Sequence, residues 1–224
     1  MTVSDGNSPQ ALSEDPQILM AEIESLRSEL ARIGARLAEA NRLAHQDQLV
    51  DLPNRRSFIS ALEHILWQVE HYDAQAAVLF ADVDGLKLIN DKFGHRAGDR
   101  ALVKVARVLG DNVRKGDMVA RLGGDEYAVL LRDSDELAAW RMALRLAEAV
   151  GESSLQLGDR SLPLSVAVGA AVIGKGDTPE GVLSRADQVM YHFKAIGGSR
   201  MAGVITSVGH PQPQAPFLFE RDRG

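Results

Sequence analysis

One apolar pattern near the N-terminus constrains this chain more than any other feature of its sequence. The apolar residues are spaced alternately four and three apart, at Leu19, Ile23, Leu26, Leu30, Ile33, Leu37, Ala40 and Ala44. This repeat places a single narrow seam along a helix, as in a coiled coil. A helix packed on its own domain is the alternative, although its apolar stripe is usually wider. We therefore predict a coiled-coil dimerisation helix over residues 18–46.

Polar, proline-containing stretches lie at the two ends of the chain. Residues 1–17 contain Pro9 and Pro16, and residues 204–224 contain three of the eight prolines. Such composition does not supply enough apolar surface for a packed core. We predict a disordered arm over 1–17, a disordered tail over 204–224, and one globular domain over 47–203.

The globular region alternates between helical and strand patterns. Helices are predicted at 54–72, 86–93, 97–113, 134–150 and 178–195, and strands at 76–84, 118–122, 126–132 and 164–173. This order predicts an α/β fold of the α+β type, with a central mixed sheet surrounded by helices. Ser134 is expected to cap the N-terminus of its helix.

Composition and charge exclude several classes of function. The chain has 25 Lys and Arg against 31 Asp and Glu, and its net charge of −6 argues against a nucleic-acid-binding surface. Cysteine is absent, so disulfides, thiol catalysis and thiolate metal sites are excluded. The longest apolar stretch, residues 76–81, is far shorter than the roughly 20 residues that span a bilayer. We expect a cytoplasmic protein without membrane insertion.

Two acidic stretches are candidates for a metal site. The strand over 76–84 ends in Asp82-Val83-Asp84-Gly85, and carboxylates two residues apart in a strand face the same side. They suit a hard cation, although Asp and Gly are also common where a strand ends in solvent. The predicted hairpin carries Gly123-Gly124-Asp125-Glu126 at its tip. Its glycines permit close approach of a ligand, but an ordinary exposed turn is the alternative.

Three polar residues between these stretches suit a nucleotide. Asn90 offers a donor and an acceptor to a purine edge, and Asp99 accepts hydrogen bonds from amino and ring N–H groups. Lys87 carries a charge that suits a phosphate. Taken singly, each residue is more typical of a protein surface or a helix cap.

Together these stretches strongly resemble the GGDEF family of diguanylate cyclases, over about residues 47–203. The opening residues 47–56 resemble the first motif of the family, and Tyr191 and Lys194 resemble its late helix motif. The remaining matching stretches are 82–87, Asn90-Asp91, Gly94-His95, Gly98-Asp99 and Arg121-Leu122-Gly123-Gly124-Asp125-Glu126-Tyr127. Several ordered motifs make this resemblance far more specific than one short match.

The resemblance implies a palm-like nucleotide-cyclase fold that condenses two GTP into cyclic di-GMP and two pyrophosphates. Asp82, the Val83 carbonyl, Asp125 and Glu126 are implied to bind Mg²⁺ or Mn²⁺, with two ions in each half-site. Asp125 is the implied acceptor of the 3′-hydroxyl proton, with Glu126 nearby, and Lys87 is implied to stabilise phosphate charge. Each domain holds one GTP, so the helix over 18–46 would bring two domains together as a homodimer.

The resemblance also implies substrate contacts and an inhibitory product site. Asn90 and Asp99 are implied to bind guanine, Gly123 and Gly124 to pass close to the nucleotide, and Lys194 to contact its phosphates. Arg114 and Asp117 form an Arg-x-x-Asp motif where the family binds cyclic di-GMP as an inhibitor, with Arg145 assisting from a partner domain. Alone, that motif is typical of a solvated helix end.

Some positions depart from the family pattern. Tyr127 stands where Phe is usual, and its ring should still pack if its hydroxyl finds a partner. Leu86 and Val50 replace a frequent Phe and Thr. Gly198 stands where many members have Arg, which puts phosphate affinity in question unless Arg200 substitutes for it.

Two other functions remain open from the sequence. A non-catalytic receptor for cyclic di-GMP or GTP would transmit its state through the helix, although such receptors commonly lose the acids retained here. A scaffold with a vestigial domain is the third interpretation. A regulatory protein that binds the coiled coil is a further expected partner, because no sensor segment is recognisable in residues 1–46.

Overall fold

The computed structural model describes residues 16–195 and the backbone of 202–205, and it divides the chain into two units at Leu43. The first unit contains most of helix α1 (Pro16–His45), which is 30 residues long and has no buried residue. Its seam residues are exposed, with Leu30 at 68% and Leu37 at 61%. The predicted helix is confirmed, and its pairing with a second copy stays a prediction.

The second unit alternates helices and strands in nearly the predicted order. Its helices are α2 (Arg55–Tyr72), α3 (Leu86–Phe93), α4 (His95–Asp111), α5 (Glu136–Gly151) and α6 (Pro179–Ala195). Its strands are β1 (Ala76–Val83), β2 (Met118–Gly123), β3 (Glu126–Arg132), β4 (Ser154–Leu157), β5 (Arg160–Pro163), β6 (Val166–Val172) and β7 (Ala202–Ile205). In the part of the chain that the structure describes, no helix is both long and apolar enough to cross a bilayer.

Five strands form a mixed sheet in the order β2-β3-β1-β6-β7. The central strand β1 is antiparallel to β3 and β6, whereas β7 is parallel to β6. This arrangement confirms the predicted fold class. Strands β4 and β5 form a separate hairpin. Neither this hairpin nor β7 was expected from the sequence, because four-residue strands show too little alternation.

Side chains of β1 alternate between two apolar cores, one on each face of the sheet. Leu79 and Ala81 pack with α4 and α5, whereas Val78 and Phe80 pack with α2 and α6. Because successive strand residues face opposite sides, a strand that is buried on both faces is apolar almost throughout. Asp82 is the first residue of β1 that is only half-buried, although Val83 after it is buried again, so the polar end of this strand lies at the edge of the core.

The predicted cap of α5 is wrong. Asp135, not Ser134, is the N-cap, and its carboxylate accepts a hydrogen bond from Ala138 N–H at 2.8 Å. A carboxylate also interacts favourably with the positive end of the helix dipole. Ser134 is buried, and its N–H donates to the Gln75 carbonyl.

Several predicted features lie partly or wholly outside the described residues. The predicted arm is described only at its last two residues, which begin α1. Strand β7 reaches Ile205, beyond the predicted domain end at 203, and residues 206–224 of the predicted tail are not described. Gly198 and Arg200 also lie outside the described residues.

Candidate active site

The acidic candidates meet where β1 ends and β3 begins. Asp82 and Glu126 are direct partners in the antiparallel register of these strands. Asp82 is two residues from Phe80 in β1, so its side chain projects to the same face of the sheet, which carries α2 and α6. Glu126 is the direct cross-strand partner of Asp82 and projects to that face too. The Val83 N–H donates to the Asp125 carbonyl at 3.1 Å. Sheet pairing thus brings Asp82, Val83, Asp125 and Glu126 together.

The turn between β2 and β3 depends on its two glycines. Gly123 has φ +146° and Gly124 has φ +53°, conformations that residues with a Cβ rarely adopt. The pairing register shifts between Arg121 and Gly123, as it does at a β-bulge. A Cβ built on either glycine meets no atom within 4 Å, so the turn presents an open backbone surface.

Arg121 ties this turn to the opening segment of the domain. Its Nε and Nη2 donate to the Gly124 carbonyl at 3.1 and 2.7 Å, and its Nη1 donates to Asp47 Oδ1 at 3.0 Å. Burial alone would raise the pKa of Asp47, but hydrogen bonds from Val50 N–H, Leu49 N–H and Arg121 hold it below its usual value. Asp47 therefore remains ionised and anchors Arg121.

The carboxyl groups of this cluster disfavour one another's ionisation. Burial is the largest cause that raises the pKa of Asp82, and the nearby Asp125 and Asp84 charges add to it. Burial also raises the pKa of Glu126, together with the charges of Asp125, Asp82 and Asp187, although Arg55 opposes this shift. A cation among these groups would relieve both the burial penalty and the repulsion.

Lys194 provides such a positive charge. Its ammonium group donates to Asp82 Oδ1 in a short ion pair. Burial lowers the pKa of Lys194, but the hydrogen bond to Asp82 and the surrounding carboxylates outweigh it, so the pKa is raised. The contact of Lys194 with phosphates therefore stays a prediction, whereas its contact with the acidic cluster is a feature of this structure.

The oxygen donors of the cluster suit a hard divalent cation. Asp82 and Glu126 supply facing carboxylates, and the main chain of Val83 and Asp125 runs between them. Over the described ranges, no three Asp, Glu or His side chains converge into a metal-binding group. A cation here would thus need a main-chain oxygen such as the Val83 carbonyl, which the family resemblance implies as a ligand, and would compete with Lys194 for Asp82.

Asn90 belongs to α3 and lies in a second polar region, where α3 packs against α4. Its Oδ1 is buried and has no hydrogen-bond partner among the residues that the structure describes. It sits directly over Gly98, where an added Cβ would lie 2.0 Å from this oxygen. An unpaired buried acceptor costs roughly 1–3 kcal/mol, so it marks a position where a ligand N–H would be favourable. Asp99 and Lys87, the other predicted nucleotide contacts, are exposed.

The Arg-x-x-Asp motif borders a cavity of about 370 Å³ on another part of the domain, which Leu52 and Pro53 also line. The Asp117 side chain is only 2% exposed, and its carboxylate accepts from Arg114 N–H and Arg132 N–H. The Arg114 side chain is 59% exposed. Arg145 donates to the Asn112 carbonyl of its own protomer, two residues before Arg114. The hydrogen bonds of Asp117 therefore fix the backbone of the motif, while the Arg114 side chain remains accessible to solvent.

The replacement of Phe by Tyr127 is accommodated as expected. The Tyr127 ring is fully buried, and its hydroxyl donates to the Leu102 carbonyl at 2.9 Å. Burial raises the pKa of the phenol, so it stays neutral. This hydrogen bond joins β3 to α4 beneath the acidic cluster.

A sequence model described as "Diguanylate cyclase, GGDEF domain" matches residues 44–200. The chain belongs to the GGDEF-domain family. The diguanylate cyclase TpbB of Pseudomonas aeruginosa is 41% identical over 198 residues, which cover 85% of this chain and 44% of TpbB. The response regulator PleD of Caulobacter vibrioides is 37% identical over 164 residues, which cover 72% of this chain and 36% of PleD. The chain thus spans less than half the length of these relatives.

One similar solved structure combines a coiled coil with a GGDEF domain. It contains the coiled coil and GGDEF domain of DgcB from Caulobacter crescentus in complex with c-di-GMP. Its TM-score is 0.75 at 25% identity, and the match covers 84% of this chain and 99% of that one. Diguanylate cyclase SiaD of Pseudomonas aeruginosa, solved with its activator SiaC, matches with a TM-score of 0.70 at 25% identity, over 84% of this chain and 73% of SiaD.

The sequence placed Asp47, Arg55 and Arg121 within family motifs but did not indicate the contacts that they make in this GGDEF site. The Arg121–Asp47 pair joins residues 74 positions apart, so no local pattern indicates it. Arg55 influences Glu126 from the start of α2, which is likewise a tertiary effect. Gly169 in β6 is a residue that the sequence could have indicated, because a glycine inside an apolar strand often marks close approach of another backbone. Here that backbone belongs to α6, at Ala186 and Met190.

Proposed function

We propose that this protein is a diguanylate cyclase. The observation that carries the proposal is the carboxylate cluster of Asp82 and Glu126 beside the glycine turn of a GGDEF domain. A relative named as a diguanylate cyclase, at 41% identity, supports the same activity. Since GTP is a cytoplasmic metabolite, we place the reaction in the cytoplasm.

In the proposed reaction, the 3′-hydroxyl oxygen of one GTP attacks the α-phosphorus of a second GTP, and the bond to pyrophosphate breaks. The Asp125 carboxylate accepts the hydroxyl proton. In a second step, the 3′-hydroxyl oxygen of the other nucleotide attacks the remaining α-phosphorus, and the second pyrophosphate leaves as the ring closes. Two GTP thus yield one cyclic di-GMP and two pyrophosphates. Mg²⁺ or Mn²⁺, two ions per half-site at Asp82, the Val83 carbonyl, Asp125 and Glu126, would supply charge neutralisation.

The remaining residues bind and orient the nucleotide in this proposal. The free Oδ1 of Asn90 accepts a guanine N–H, which would satisfy its missing hydrogen bond, and the exposed Asp99 carboxylate accepts another. The open backbone at Gly123 and Gly124 lies against the nucleotide. Lys87 and Lys194 provide positive charge for the phosphates, since phosphoryl transfer depends chiefly on positioning and charge neutralisation.

Two domains must face each other for this chemistry, because each holds one GTP. We assign that pairing to α1, whose apolar seam is exposed in a single chain. Linking the domains through a coiled coil raises the effective concentration of one half-site near the other. SiaD is described in complex with an activator protein. By analogy, a regulatory protein that binds α1 is the partner we propose for this chain.

The test is synthesis of cyclic di-GMP by the purified chain with Mg²⁺ and GTP, at several protein concentrations. We expect one cyclic di-GMP for two pyrophosphates. Asp125→Asn should lower kcat by at least about 100-fold, the usual effect of losing a general base. Asp111→Asn, at an exposed position on α4, is the matched control and should retain activity. Nucleotide binding without product at every concentration would favour the receptor function instead.

Product inhibition is a second part of the proposal. Cyclic di-GMP would enter the cavity beside Arg114, whose exposed guanidinium suits a phosphate or the edge of guanine. Asp117 and, from a partner domain, Arg145 complete the proposed site. Arg114→Ala should shift the inhibition constant for added cyclic di-GMP upward by roughly tenfold or more. Arg107→Ala, on the exposed face of α4, should leave inhibition unchanged, and equal inhibition of both variants would exclude this site.

A further inference from the structure

The contact between Lys194 and Asp82 joins two residues that the proposed reaction uses for different purposes. Asp82 is the proposed cation ligand, and Lys194 is the proposed phosphate contact. In this structure they form an ion pair with each other. We infer that Lys194 acts as an internal counter-cation, which occupies Asp82 until a nucleotide binds and thereby excludes a divalent ion from the nucleotide-free site. This inference rests on the proposed function.

Backbone packing directs Lys194 to the acidic cluster. Helix α6 crosses β6 at Gly169, where an added Cβ would lie 2.2 Å from the Ala186 carbonyl oxygen and 2.3 Å from Met190 N. Lys194 follows Met190 by one helical turn and therefore lies on the same side of α6. Because Gly169 pairs with Phe80, and Asp82 lies two residues further along β1, Lys194 faces Asp82 across this contact. The ion pair is thus set by how α6 lies on the sheet.

Partial burial makes this ion pair less sensitive to salt than an ordinary surface pair. The Asp82 side chain is 16% exposed and the Lys194 side chain 39% exposed. Charges that are partly removed from solvent are screened less by salt than fully exposed ones. Asp84 and Asp125 add negative charge around the same ammonium group. Lys194 therefore balances a cluster of carboxylates rather than a single partner.

A divalent cation at Asp82 would bind the same carboxylate group whose Oδ1 accepts from Lys194. Two cations that share one small group of oxygens also repel each other, so the two occupants compete. Nucleotide phosphates offer Lys194 an alternative anionic partner, and its departure frees Asp82. Metal and nucleotide should then strengthen each other's binding, because coupling between two ligands is reciprocal.

The experiment measures Mn²⁺ binding to the full-length, nucleotide-free protein by electron paramagnetic resonance, which detects free Mn²⁺. Lys194→Met should bind Mn²⁺ roughly three- to tenfold more tightly than wild type, the range expected when a partly exposed ion pair no longer competes. Lys175→Met removes the same charge from an ion pair with Asp73, which is not among the proposed cation ligands. This control should gain less than about twofold.

A double variant separates competition at Asp82 from a general change of charge. In an Asp82→Asn background, adding Lys194→Met should no longer tighten Mn²⁺ binding, because the shared negative charge of the carboxylate is gone. A non-hydrolysable GTP analogue should also tighten Mn²⁺ binding more in wild type than in Lys194→Met. Lys194→Gln should repeat the result of Lys194→Met, and urea midpoints will identify any variant that fails to fold.

The outcomes distinguish this inference from the proposed activity. If wild type makes cyclic di-GMP but Lys194→Met binds Mn²⁺ no more tightly, the counter-cation role is wrong and the cyclase proposal stands. If Lys194→Met binds more tightly only when Asp82 is present, the role is supported even where no cyclic di-GMP forms. An equal gain in the Asp82→Asn background would overturn the role.

Discussion

Asn90 and Gly98 show how a single backbone position can control a binding group. The side chain of Asn90 occupies the space that a Cβ on residue 98 would need, and its Oδ1 is left without a partner. Its unpaired oxygen costs stability in the free protein and becomes favourable only when a donor arrives. The same residue therefore links a local defect of the fold to the proposed recognition of guanine.

Gly98→Ala tests this link. The new methyl group should displace the Asn90 amide and weaken binding of a non-hydrolysable GTP analogue roughly tenfold, as expected for the loss of one or two hydrogen bonds. Gly110→Ala is the matched control, since it lies in the same helix and its Cβ would meet nothing within 4 Å. Calorimetric titration of both variants measures the difference. Equal affinities would contradict a role for the Asn90 position in nucleotide binding.

The raised pKa of Glu126 predicts that removing its negative charge stabilises the protein, by an amount that depends on pH. Its pKa is raised in the fold, mainly by burial and then by the surrounding acids. Its ionised form therefore destabilises the nucleotide-free protein at neutral pH, and this cost disappears as the pH falls through the folded pKa and the carboxyl becomes protonated. Glu126→Gln should raise the free energy of unfolding by a few tenths of a kcal/mol at pH 7.5, allowing for solvent screening.

Urea unfolding at pH 7.5 and at pH 4.5 measures this effect. The gain of Glu126→Gln over wild type should shrink at the lower pH, because a raised pKa leaves a greater share of wild-type Glu126 protonated there. Glu148→Gln, at an exposed position on α5, should show no such gain at neutral pH. A Glu126→Gln variant less stable than wild type at pH 7.5 would show that the carboxylate is compensated in the fold.

At the scale of the elements, the contact between α6 and β6 is the one that positions Lys194. Gly169 lies in the middle of β6 and faces the backbone of α6, so any side chain there would push the helix off the sheet. Gly169→Ala should destabilise the domain by about 3 kcal/mol or more, because the clash involves backbone atoms that cannot rotate away. Urea unfolding, with Gly110→Ala as control, measures it. A loss below about 1 kcal/mol would contradict this close packing.

The helices were easier to predict than the short strands. Helix α2 begins where Asn54 accepts a hydrogen bond from Ser57 N–H, and this cap is recognisable in the sequence. Helix α5 was predicted almost entirely, but its cap was assigned to the wrong neighbour, since Ser134 and Asp135 are both typical N-caps. Strand β7 depends on pairing with β6, in which Ala202 pairs with Val168, 34 residues earlier. Its local sequence therefore gives no pattern that predicts a strand.

At the scale of the whole molecule, the proposed role of α1 is to bring two half-sites together. Its seam residues are exposed in a single chain, and a parallel copy would bury them. We expect the double variant Leu30→Glu and Leu37→Glu to be monomeric in sedimentation, because buried carboxylates in a seam are unfavourable. Its cyclic di-GMP synthesis should be lost at nanomolar protein concentration and partly regained when the concentration is raised.

The matched control places the same charges away from the seam. Ser28→Glu and Ala35→Glu lie on the opposite side of the heptad and should leave the chain dimeric and active. If the seam variant is as dimeric and active as this control, α1 does not supply the pairing. A regulatory protein would then need another surface of the chain to control the reaction.

The sequence alone determined the helix of the first unit, the mixed α+β domain and the family to which it belongs. Those conclusions rest on periodicity and on short motifs, whose residues are close in the chain and therefore visible without a structure. Even the position of Asp82 at the end of an apolar strand follows from this local pattern.

Only the tertiary structure decided how the motifs meet. Asp82 and Glu126 face each other because β1 pairs with β3, and Lys194 reaches Asp82 because α6 packs on Gly169. Arg121 holds the glycine turn through Asp47, which lies 74 residues earlier. These contacts depend on strand register and helix packing, which long-range burial of apolar surface selects. For that reason, the sequence indicated which groups carry charge, while the fold set which of those charges neutralise one another.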